Sequence, residues 1–295
     1  MVDYPGRETT RCWCGNTELL EYSPDYLRCP ACETLVIARM PDPSWLLSPH
    51  DEAGFYGREY YEKFLIDEFG FPSLPERARA DLPERCLYWL RTLLRYRLPP
   101  GKALELGSAH GGFVALLRWA GFDAIGLEVS PWLVEFARRA FDVPTLLGPI
   151  EEQALDAHSF DVIGLLDVIE HMPDPVGSMR RCAEILEDDG LLLIQTPCLP
   201  EGKSHAQLIE ENAPFLSTMV APHHLFLFSR KSLTRLLADL GFPYVQFEPN
   251  LFPYDMFLVA SREPLAIHPW EQVAQRLEAA PSARLIRALL DLDDR

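Results

Sequence analysis

Between residues 99 and 262, short apolar runs alternate with segments whose apolar positions recur at helical spacing. The apolar runs predict strands at 103–106, 123–128, 160–166, 191–196, 244–248 and 256–261, and a short strand with its loop at 146–151. The amphipathic segments predict helices at 113–120, 131–141, 175–188 and 229–240. This alternation is typical of a mainly parallel α/β sheet, which we predict for the region.

One strand-to-helix junction, ALELGSAHGGF at 103–113, has the composition of a cofactor loop. Its glycines let the backbone approach a ligand closely, and the N–H groups at a helix start favour polar or anionic groups. Read as Gly107-x-Ala109-x-x-Gly112, with Glu128 at 21 residues after Gly107, the loop fits a dinucleotide fingerprint whose acid binds ribose hydroxyls. Another nucleotide-like cofactor fits this stretch equally well, and a purely structural turn is a further alternative.

Four of the seven cysteines lie in two pairs near the N-terminus, and their spacing suits a metal site. The pairs are Cys12-Trp-Cys14 and Cys29-Pro-Ala-Cys32. Paired thiolates on two turns suit a tetrahedral Cys₄ zinc site, although the first pair is C-x-C where a ribbon normally has C-x-x-C. Disulfides are the alternative. Four thiolates would leave no open coordination position, so we expect any zinc here to be structural.

Proline-rich stretches suggest where the chain divides. A proline-rich segment at 40–45 ends the cysteine-bearing region, and a proline-broken linker at 72–83 precedes a helix at 85–96. We predict a zinc ribbon at 1–45, a helical lid and linker region at 46–98, a cofactor-binding domain at 99–262 with a long irregular insertion at 197–228, and an amphipathic C-terminal helix at 263–295.

The charge balance limits the classes of partner. Lys and Arg number 27 against 44 Asp and Glu, giving a net charge of −17. This balance disfavours nucleic acid as a partner, because nucleic-acid binding draws on clustered basic residues. No apolar run approaches the ~20 residues of a membrane span, and residues 1–11 carry charges without a hydrophobic block. We therefore expect a cytoplasmic protein without a membrane partner.

Three groups of residues together resemble one enzyme family. They are the cysteine pairs followed by RMPDP and FYGREYYEKF, the loop pattern Glu105-x-Gly107-x-Ala109-x-Gly111, and SFDVIGLLDVIEHMPDP with DDGLLLIQTP between 159 and 197. The chain resembles class I S-adenosylmethionine-dependent methyltransferases with an N-terminal zinc ribbon, found among bacterial sugar and natural-product enzymes. The resemblance implies a doubly wound, Rossmann-like, mainly parallel sheet of seven strands with a reversed last strand. It favours S-adenosylmethionine over a nicotinamide cofactor.

The resemblance also assigns residues to the cofactor. Glu105 would lie behind the loop, residues 107–111 would pass the amino-acid end, and Glu128 would bind the ribose. The adenine would meet Ile150 and Glu151. The complete set of expected cofactor residues is Glu105, Gly107, Ser108, Ala109, Gly111, Glu128, Val129, Ile150, Glu151 and Asp167.

Two histidines are candidate catalytic residues. His171 follows Asp167 by four residues, in a loop that borders the transferred methyl group in the family; a structural histidine is the alternative interpretation. The insertion carries PHHLFLF at 222–228. Related sugar C-methyltransferases have His-Glu-His there, with the last histidine as base; His224 matches it, and His223 replaces the glutamate. Those enzymes also have a longer C-terminal domain, so we expect oxygen rather than carbon as the acceptor atom.

The resemblance therefore implies methyl transfer to a hydroxyl of a sugar or other small molecule, with His224 as general base and His171 as second candidate. A neutral histidine with a pKa near ~6.5 can accept a hydroxyl proton at pH 7. Four alternatives stay open: a sugar C-methyltransferase, a zinc-ribbon RNA base methyltransferase, a nicotinamide oxidoreductase and a non-catalytic cofactor-binding scaffold. A second copy of the chain, forming a homodimer, is a candidate partner.

Overall fold

A computed structural model describes residues 4–46 and 55–292 of the chain. Residues 1–3 of the predicted zinc ribbon, residues 47–54 of the predicted lid region and residues 293–295 of the predicted C-terminal helix lie outside these ranges. The N-terminal module contains five short strands, β1 (Gly6–Glu8), β2 (Leu20–Glu21), β3 (Tyr26–Arg28), β4 (Leu35–Ile37) and β5 (Arg39–Pro41). Strands β2, β3 and β4 form an antiparallel sheet, and β1 pairs with β5.

Helices connect this module to the main sheet. They are α1 (Pro43–Leu46), a π-helical turn (Tyr60–Phe64) leading into α2 (Leu65–Phe69), α3 (Leu74–Asp81), and a second π-helical turn (Leu82–Cys86) leading into α4 (Leu87–Tyr96). The stretch at 72–83, expected to be a linker, is thus largely helical. Ser73 and Glu76 form a capping box at the start of α3, and Pro75 lies in the first turn, where a missing N–H costs no helical hydrogen bond.

The main sheet has seven strands in the described chain. Its strands are β6 (Lys102–Leu106), β7 (Asp123–Glu128), β8 (Thr145–Leu147), β9 (Phe160–Leu166), β10 (Leu186–Pro197), β12 (Tyr244–Glu248) and β13 (Asp255–Ser261), and the short β11 (Phe226–Leu227) lies outside it. The order is β12-β13-β10-β9-β6-β7-β8, with β13 antiparallel to both neighbours. The predicted doubly wound, mainly parallel sheet with a reversed last strand is confirmed.

The remaining helices cover the two faces of this sheet. They are α5 (Gly112–Ala120), α6 (Pro131–Phe141), α7 (Pro175–Ile185), α8 (His205–Glu210), α9 (Arg230–Asp239), α10 (Trp270–Leu277) and α11 (Pro281–Leu292). One face packs α4, α5, α10 and α11 into a single apolar cluster, and the other packs α7 and α9. The C-terminal region, expected as one helix, is two, because Pro281 has no N–H with which to continue α10.

Helix α7 is shorter than the sequence suggested. It ends at Ile185 rather than at Asp188–Gly190, because Leu186 already pairs with Phe160 as the first residue of β10. The ladder is then interrupted between Leu186 and Leu191 before regular parallel pairing resumes. The predicted strand at 191–196 is therefore the regular part of a longer one.

The insertion at 197–228 is more ordered than expected and joins the N-terminal module. It contains α8, a 3₁₀ turn at Pro214–Thr218 and strand β11. Strand β11 pairs antiparallel with β4, so the insertion and the cysteine-bearing module share one four-stranded sheet, β11-β4-β3-β2.

The chain order reverses between β6 and β9, whose carboxyl ends border the crevice where open α/β sheets hold ligands. Within residues 4–46 and 55–292, no helix is both long enough and apolar enough to cross a membrane.

Candidate active site

The four N-terminal cysteines converge on one point. The Sγ atoms of Cys12 and Cys32 are 3.5 Å apart, those of Cys14 and Cys29 are 3.6 Å apart, and all four lie within 4.8 Å of one another. All four are free thiols. Bonds of ~2.3 Å to a tetrahedral zinc ion set sulfur atoms a little under ~4 Å apart, so this donor set fits zinc.

The short C-x-C knuckle brings Cys14 into this cluster. Gly15 has a φ of +86°, and its N–H donates to the Cys12 carbonyl over 2.9 Å, which folds the chain back tightly after the pair. Hydrogen bonds from Cys12 and Thr34 lower the pKa of Cys32, which favours its thiolate, the form that binds a metal.

The predicted cofactor loop joins β6 to α5 and uses left-handed backbone. Gly107 and Gly111 have φ values of +62° and +81°. A Cβ on Gly107 would lie 2.6 Å from Cγ2 of Val168, and one on Gly111 would lie 2.8 Å from the side chain of Ala137. Ala109 has a φ of +44°, so the position that replaces the family's middle glycine keeps the conformation that favours glycine.

Two buried carboxylates lie behind this loop. Glu128, at the end of β7, accepts hydrogen bonds from the N–H groups of Ala109 and Ser130, each 3.0 Å long. Glu105 is 5% exposed, and its Oε2 atom has no hydrogen-bond partner in the part of the chain that the structure describes. Burial raises the pKa of both groups, and the charge of Glu128 raises that of Glu105 further. In the described part of the chain neither forms an ion pair, so the pocket suits a cationic ligand.

The other expected cofactor residues in this region follow strands β6, β7 and β8. Ser108 is buried and its hydroxyl has no partner, and Val129 follows Glu128 at the end of β7. Ile150 is buried in the core, in a 3₁₀ turn after β8. The carboxylate of Glu151 accepts a hydrogen bond from the Ser178 hydroxyl of α7. The adenine role of these two residues stays a prediction.

Asp167 follows β9 in a left-handed conformation, with a φ of +57°. Its carboxylate receives Nη1 of Arg85 at 3.1 Å and Nε2 of Gln195 at 3.1 Å. The amide oxygen of Gln195 in turn accepts from Trp89 over 2.8 Å. This network ties α4 to the crevice; Arg85, Trp89 and Gln195 were not expected from the sequence because their partners are distant along the chain.

His110 is a second residue that sequence reasoning missed. Its Nδ1 accepts the N–H of Gly112 over 3.0 Å, and its Nε2 lies 2.9 Å from Oδ2 of Asp81. The imidazole therefore fixes the start of α5 and links the cofactor loop to α3. Its place inside the glycine loop was the available signal.

The predicted catalytic histidines are brought together. The rings of His171 and His224 lie 4.8 Å apart at a steep angle. Nδ1 of His171 is 2.7 Å from the His223 carbonyl, and Nδ1 of His224 is 2.5 Å from the Thr218 carbonyl. Carbonyls only accept, so we assign the hydrogen of each ring to Nδ1 and a free lone pair to Nε2. Burial lowers the pKa of both imidazoles, so both are neutral at pH 7.

The aromatic segment closes over these histidines. We call Phe55, Tyr56, Tyr60, Tyr61 and Phe64 the aromatic lid. The ring of His223 stacks on Phe64 with centroids 5.2 Å apart, and its Nδ1 lies 3.1 Å from the Tyr60 hydroxyl. The Tyr56 hydroxyl lies 3.3 Å from Nδ1 of His171. Burial lowers the pKa of His223 to about 4.

Two further carboxylates complete the site and were not predicted. Glu170 is 1% exposed; Thr196 donates to its Oε2 over 2.9 Å, and its Oε1 has no hydrogen-bond partner within residues 4–46 and 55–292. Asp255, at the start of β13, is 5% exposed, and neither of its oxygens has a partner in the same ranges. Burial and the charge of Asp167 raise the pKa of Glu170 well above its usual value and that of Asp255 to about 8. The position of Glu170 next to His171 in the sequence was an available signal, but no local sequence pattern distinguishes Asp255 from other carboxylates.

A family model described as "Methyltransferase domain" matches residues 78–246, more than half of the chain. Among curated proteins, the chain is similar to ubiquinone biosynthesis O-methyltransferases of Xanthomonas. It is 27% identical over 129 residues to that of X. campestris pv. campestris strain B100 and 30% identical over 129 residues to that of X. axonopodis pv. citri strain 306. Each alignment covers 40% of this chain and 54% of the relative, so the chain spans about half the length of these proteins.

Solved structures share the fold at low identity. One is a chain of the complex between the Haloferax volcanii Trm112 methyltransferase activator and a methyltransferase, with a TM-score of 0.51, 16% identity, and coverage of 65% of this chain and 95% of that one. Another is the CMeT domain of the citrinin polyketide synthase, with a TM-score of 0.50, 19% identity, and coverage of 69% and 60%.

Proposed function

Since this chain belongs to the methyltransferase-domain family, we propose that it transfers a methyl group from S-adenosylmethionine to a hydroxyl of a sugar or other small molecule. The observation that carries the proposal is the shared crevice. The loop at 107–111 and the buried Glu105 and Glu128 lie at the carboxyl edge of the main sheet, His171 follows β9 at the same edge, and the insertion brings the ring of His224 to 4.8 Å from that of His171.

The cofactor pocket is proposed from the loop and the two carboxylates. S-adenosylmethionine, when bound, supplies a methyl group already activated on a positively charged sulfur. The left-handed backbone at Gly107 and Gly111 lets the chain pass close to such a ligand, and Glu128 is placed to exchange its backbone partners for ribose hydroxyls. A bound cation would favour the ionised forms of the buried Glu105 and Glu128, so the pair favours a positively charged cofactor over a neutral analogue.

Oxygen is proposed as the acceptor atom. The Xanthomonas relatives are named as O-methyltransferases, although they align with only 40% of this chain. His223 occupies the position of the glutamate in the His-Glu-His motif, and it is engaged by Tyr60 and Phe64 of the aromatic lid. The sugar class of the acceptor rests on the family resemblance of the zinc-ribbon and aromatic segments.

His224 is proposed as the general base, with His171 as the second candidate. The Thr218 carbonyl holds Nδ1 of His224, so Nε2 presents a lone pair. Because burial lowers the pKa of His224, the ring is neutral and able to accept a proton at pH 7. Tyr56 and Tyr60 of the aromatic lid contact His171 and His223. Holding acceptor and donor in line can lower the barrier by up to ~7–11 kcal/mol.

The cysteine cluster is proposed to bind a structural zinc ion through Cys12, Cys14, Cys29 and Cys32. Four thiolates fill a tetrahedral site and leave no position for substrate. The module also holds the histidine segment, because the Tyr26 hydroxyl donates to the His224 carbonyl over 2.9 Å and the Ile37 N–H donates to the Leu225 carbonyl over 2.9 Å. The free thiols suit a reducing compartment, so we propose a cytoplasmic location.

The proposal is tested with zinc-loaded protein. Calorimetry with S-adenosylmethionine, its demethylated product and a nicotinamide dinucleotide should give binding of the first two alone. Labelled cofactor incubated with a panel of sugars and phenols, read by mass spectrometry, should then identify a methylated hydroxyl. His224→Ala should lower turnover while leaving cofactor affinity unchanged, with the solvent-facing His158→Ala as the matched control.

Three outcomes would contradict the proposal. If the nicotinamide dinucleotide binds and S-adenosylmethionine does not, the cofactor is a nicotinamide compound and the proposed cofactor is wrong. Cofactor binding without transfer to any acceptor would favour a binding scaffold. Unchanged turnover in His224→Ala would remove this residue from the chemistry.

A further inference from the structure

Glu170, His171 and His224 bring a carboxylate and two imidazoles to one place beside the acceptor site. Their ligand atoms all lie within 4.8 Å of one another, and Oε1 of Glu170 is 3.9 Å from Nε2 of His171. We propose that these three residues bind a divalent first-row transition-metal ion, distinct from the ion of the cysteine cluster. The role given to this ion rests on the proposed function, but its binding does not.

Both histidines are already oriented as ligands. The His223 carbonyl holds Nδ1 of His171 at 2.7 Å, and the Thr218 carbonyl holds Nδ1 of His224 at 2.5 Å. A metal-binding histidine almost always donates its second ring N–H in this way, because the bond fixes the tautomer and the ring orientation. With each Nδ1–H engaged by a carbonyl, the lone pair on Nε2 of each ring is the one available to a metal ion.

Glu170 supplies the third ligand, and its buried carboxylate is an independent reason to expect a metal ion here. Its Oε2 is held by Thr196, whereas the buried Oε1 has no hydrogen-bond partner among the described residues and lies 3.9 Å from Nε2 of His171. Burying a carboxylate oxygen without a partner is unfavourable. An ion at the centre of the trio would give Oε1 a ligand bond and would remove that cost.

The charge around the trio also favours a cation. Asp167 and Asp255 adjoin Glu170, and both oxygens of Asp255 are unpartnered in the described chain. Arg85 pairs with Asp167 at 3.1 Å and with Asp81 at 3.6 Å, so its charge is already shared. A divalent ion beside these buried carboxyl groups would favour their ionised forms and would give their oxygens a positively charged neighbour.

The ligand set selects the kind of ion. Two imidazoles and one carboxylate suit Mn²⁺, Fe²⁺, Co²⁺, Ni²⁺ or Zn²⁺ better than Mg²⁺ or Ca²⁺, which prefer oxygen ligands alone. Ligand bonds of ~2.0–2.2 Å place adjacent ligand atoms roughly 3–3.6 Å apart, so the side chains need to close by up to about 1–2 Å. Three protein ligands leave positions open for an acceptor oxygen.

At these open positions the ion would act as a Lewis acid. Binding lowers the pKa of the acceptor hydroxyl, so that its proton leaves to water. The oxygen lone pair then forms the bond to the methyl carbon as the carbon–sulfur bond breaks and its electrons pass to sulfur. In the ion-loaded protein, Nε2 of His224 binds the ion and does not act as a base. The ion then assists loss of the hydroxyl proton, which His224 would accept in the ion-free protein.

The test uses Co²⁺ on full-length protein loaded with one equivalent of Zn²⁺, without cofactor or acceptor. We expect one Co²⁺ per chain, with visible d–d absorption and without the intense thiolate charge-transfer absorption that binding to cysteines would give. Glu170→Gln preserves size and the Thr196 contact, and it should weaken Co²⁺ binding at least about tenfold, as should His224→Ala. His158→Ala, an exposed histidine, should bind Co²⁺ like the wild type.

Absence of saturable Co²⁺ binding, binding with thiolate charge transfer only, or unchanged affinity in both Glu170→Gln and His224→Ala would overturn the inference. Circular dichroism of the variants checks that each is folded. Calorimetry with S-adenosylmethionine on the same samples separates the two proposals: cofactor binding without Co²⁺ binding overturns the metal site alone, and Co²⁺ binding without cofactor binding overturns the proposed function alone.

Discussion

Replacing Tyr26 by phenylalanine tests whether the cysteine-bearing module holds the histidine segment in place. The Tyr26 ring is fully buried, and its hydroxyl donates to the His224 carbonyl over 2.9 Å. Phenylalanine keeps the ring and removes only the donor. The carbonyl then loses a hydrogen bond inside the protein, which costs about 1–3 kcal/mol. Against a typical total stability of ~5–15 kcal/mol, this loss is measurable.

The assay is urea unfolding of zinc-loaded protein, followed by steady-state kinetics. Tyr26→Phe should lower the free energy of unfolding by about 1–3 kcal/mol and should lower kcat more than it changes KM for the cofactor. Tyr22→Phe is the matched control, because that hydroxyl donates to the Lys203 carbonyl at 3.2 Å from a half-exposed position. Water can replace it, so we expect a change within ~0.5 kcal/mol.

Equal stability losses in the two variants would refute this reasoning, because the Tyr26 contact would then be no more than a surface contact. A stability loss with unchanged kcat would separate the fold from the chemistry: the module would stabilise the sheet without positioning His224.

Three further predictions address the cofactor, the pH dependence and the zinc. Gly107→Ala places a methyl 2.6 Å from Val168 at a φ of +62°, so calorimetry should show S-adenosylmethionine affinity reduced at least about tenfold, and unchanged affinity would argue against the loop. Because burial lowers the pKa of His223 to about 4, the unfolded state takes up a proton first as pH falls below ~6.5, and stability should drop by up to ~1.4 kcal/mol per pH unit towards pH 4. His223→Gln should flatten that slope in urea titrations; an unaltered slope would assign it to other groups. A strong chelator should release one zinc per chain from the cysteine cluster and lower the melting temperature, and Cys32→Ser should purify with less zinc than wild type, whereas full zinc retention in the variant would contradict the ligand set.

The local elements of the main sheet could be predicted because each has its own signals. Ser130 followed by Pro131 marks the start of α6, and the predicted bounds of that helix agree with the structure. The strands at 123–128 and 160–166 agree as well, since each is an apolar run bounded by polar residues. The reversed last strand came from the family resemblance, because no local pattern distinguishes strand direction.

The parts that could not be predicted depend on contacts between distant residues. Pairing of β11 with β4 joins residues about 190 positions apart, and neither the two-residue nor the three-residue strand is recognisable alone. Asp255 looks like an ordinary loop carboxylate until β13 buries it beside Asp167. His171 and His224 were each identifiable, but their 4.8 Å approach depends on how the insertion folds back.

The pairing of β11 with β4 bears on how this protein can change over evolutionary time. A module appended by a flexible tether can be exchanged or lost between homologous genes without harm to the rest. Here, loss of the N-terminal residues would strip β11 of its neighbour and expose Phe226 and Leu227 as an unprotected apolar edge prone to aggregation. The two segments must therefore be inherited as a unit, and substitutions in one are expected to covary with substitutions in the other.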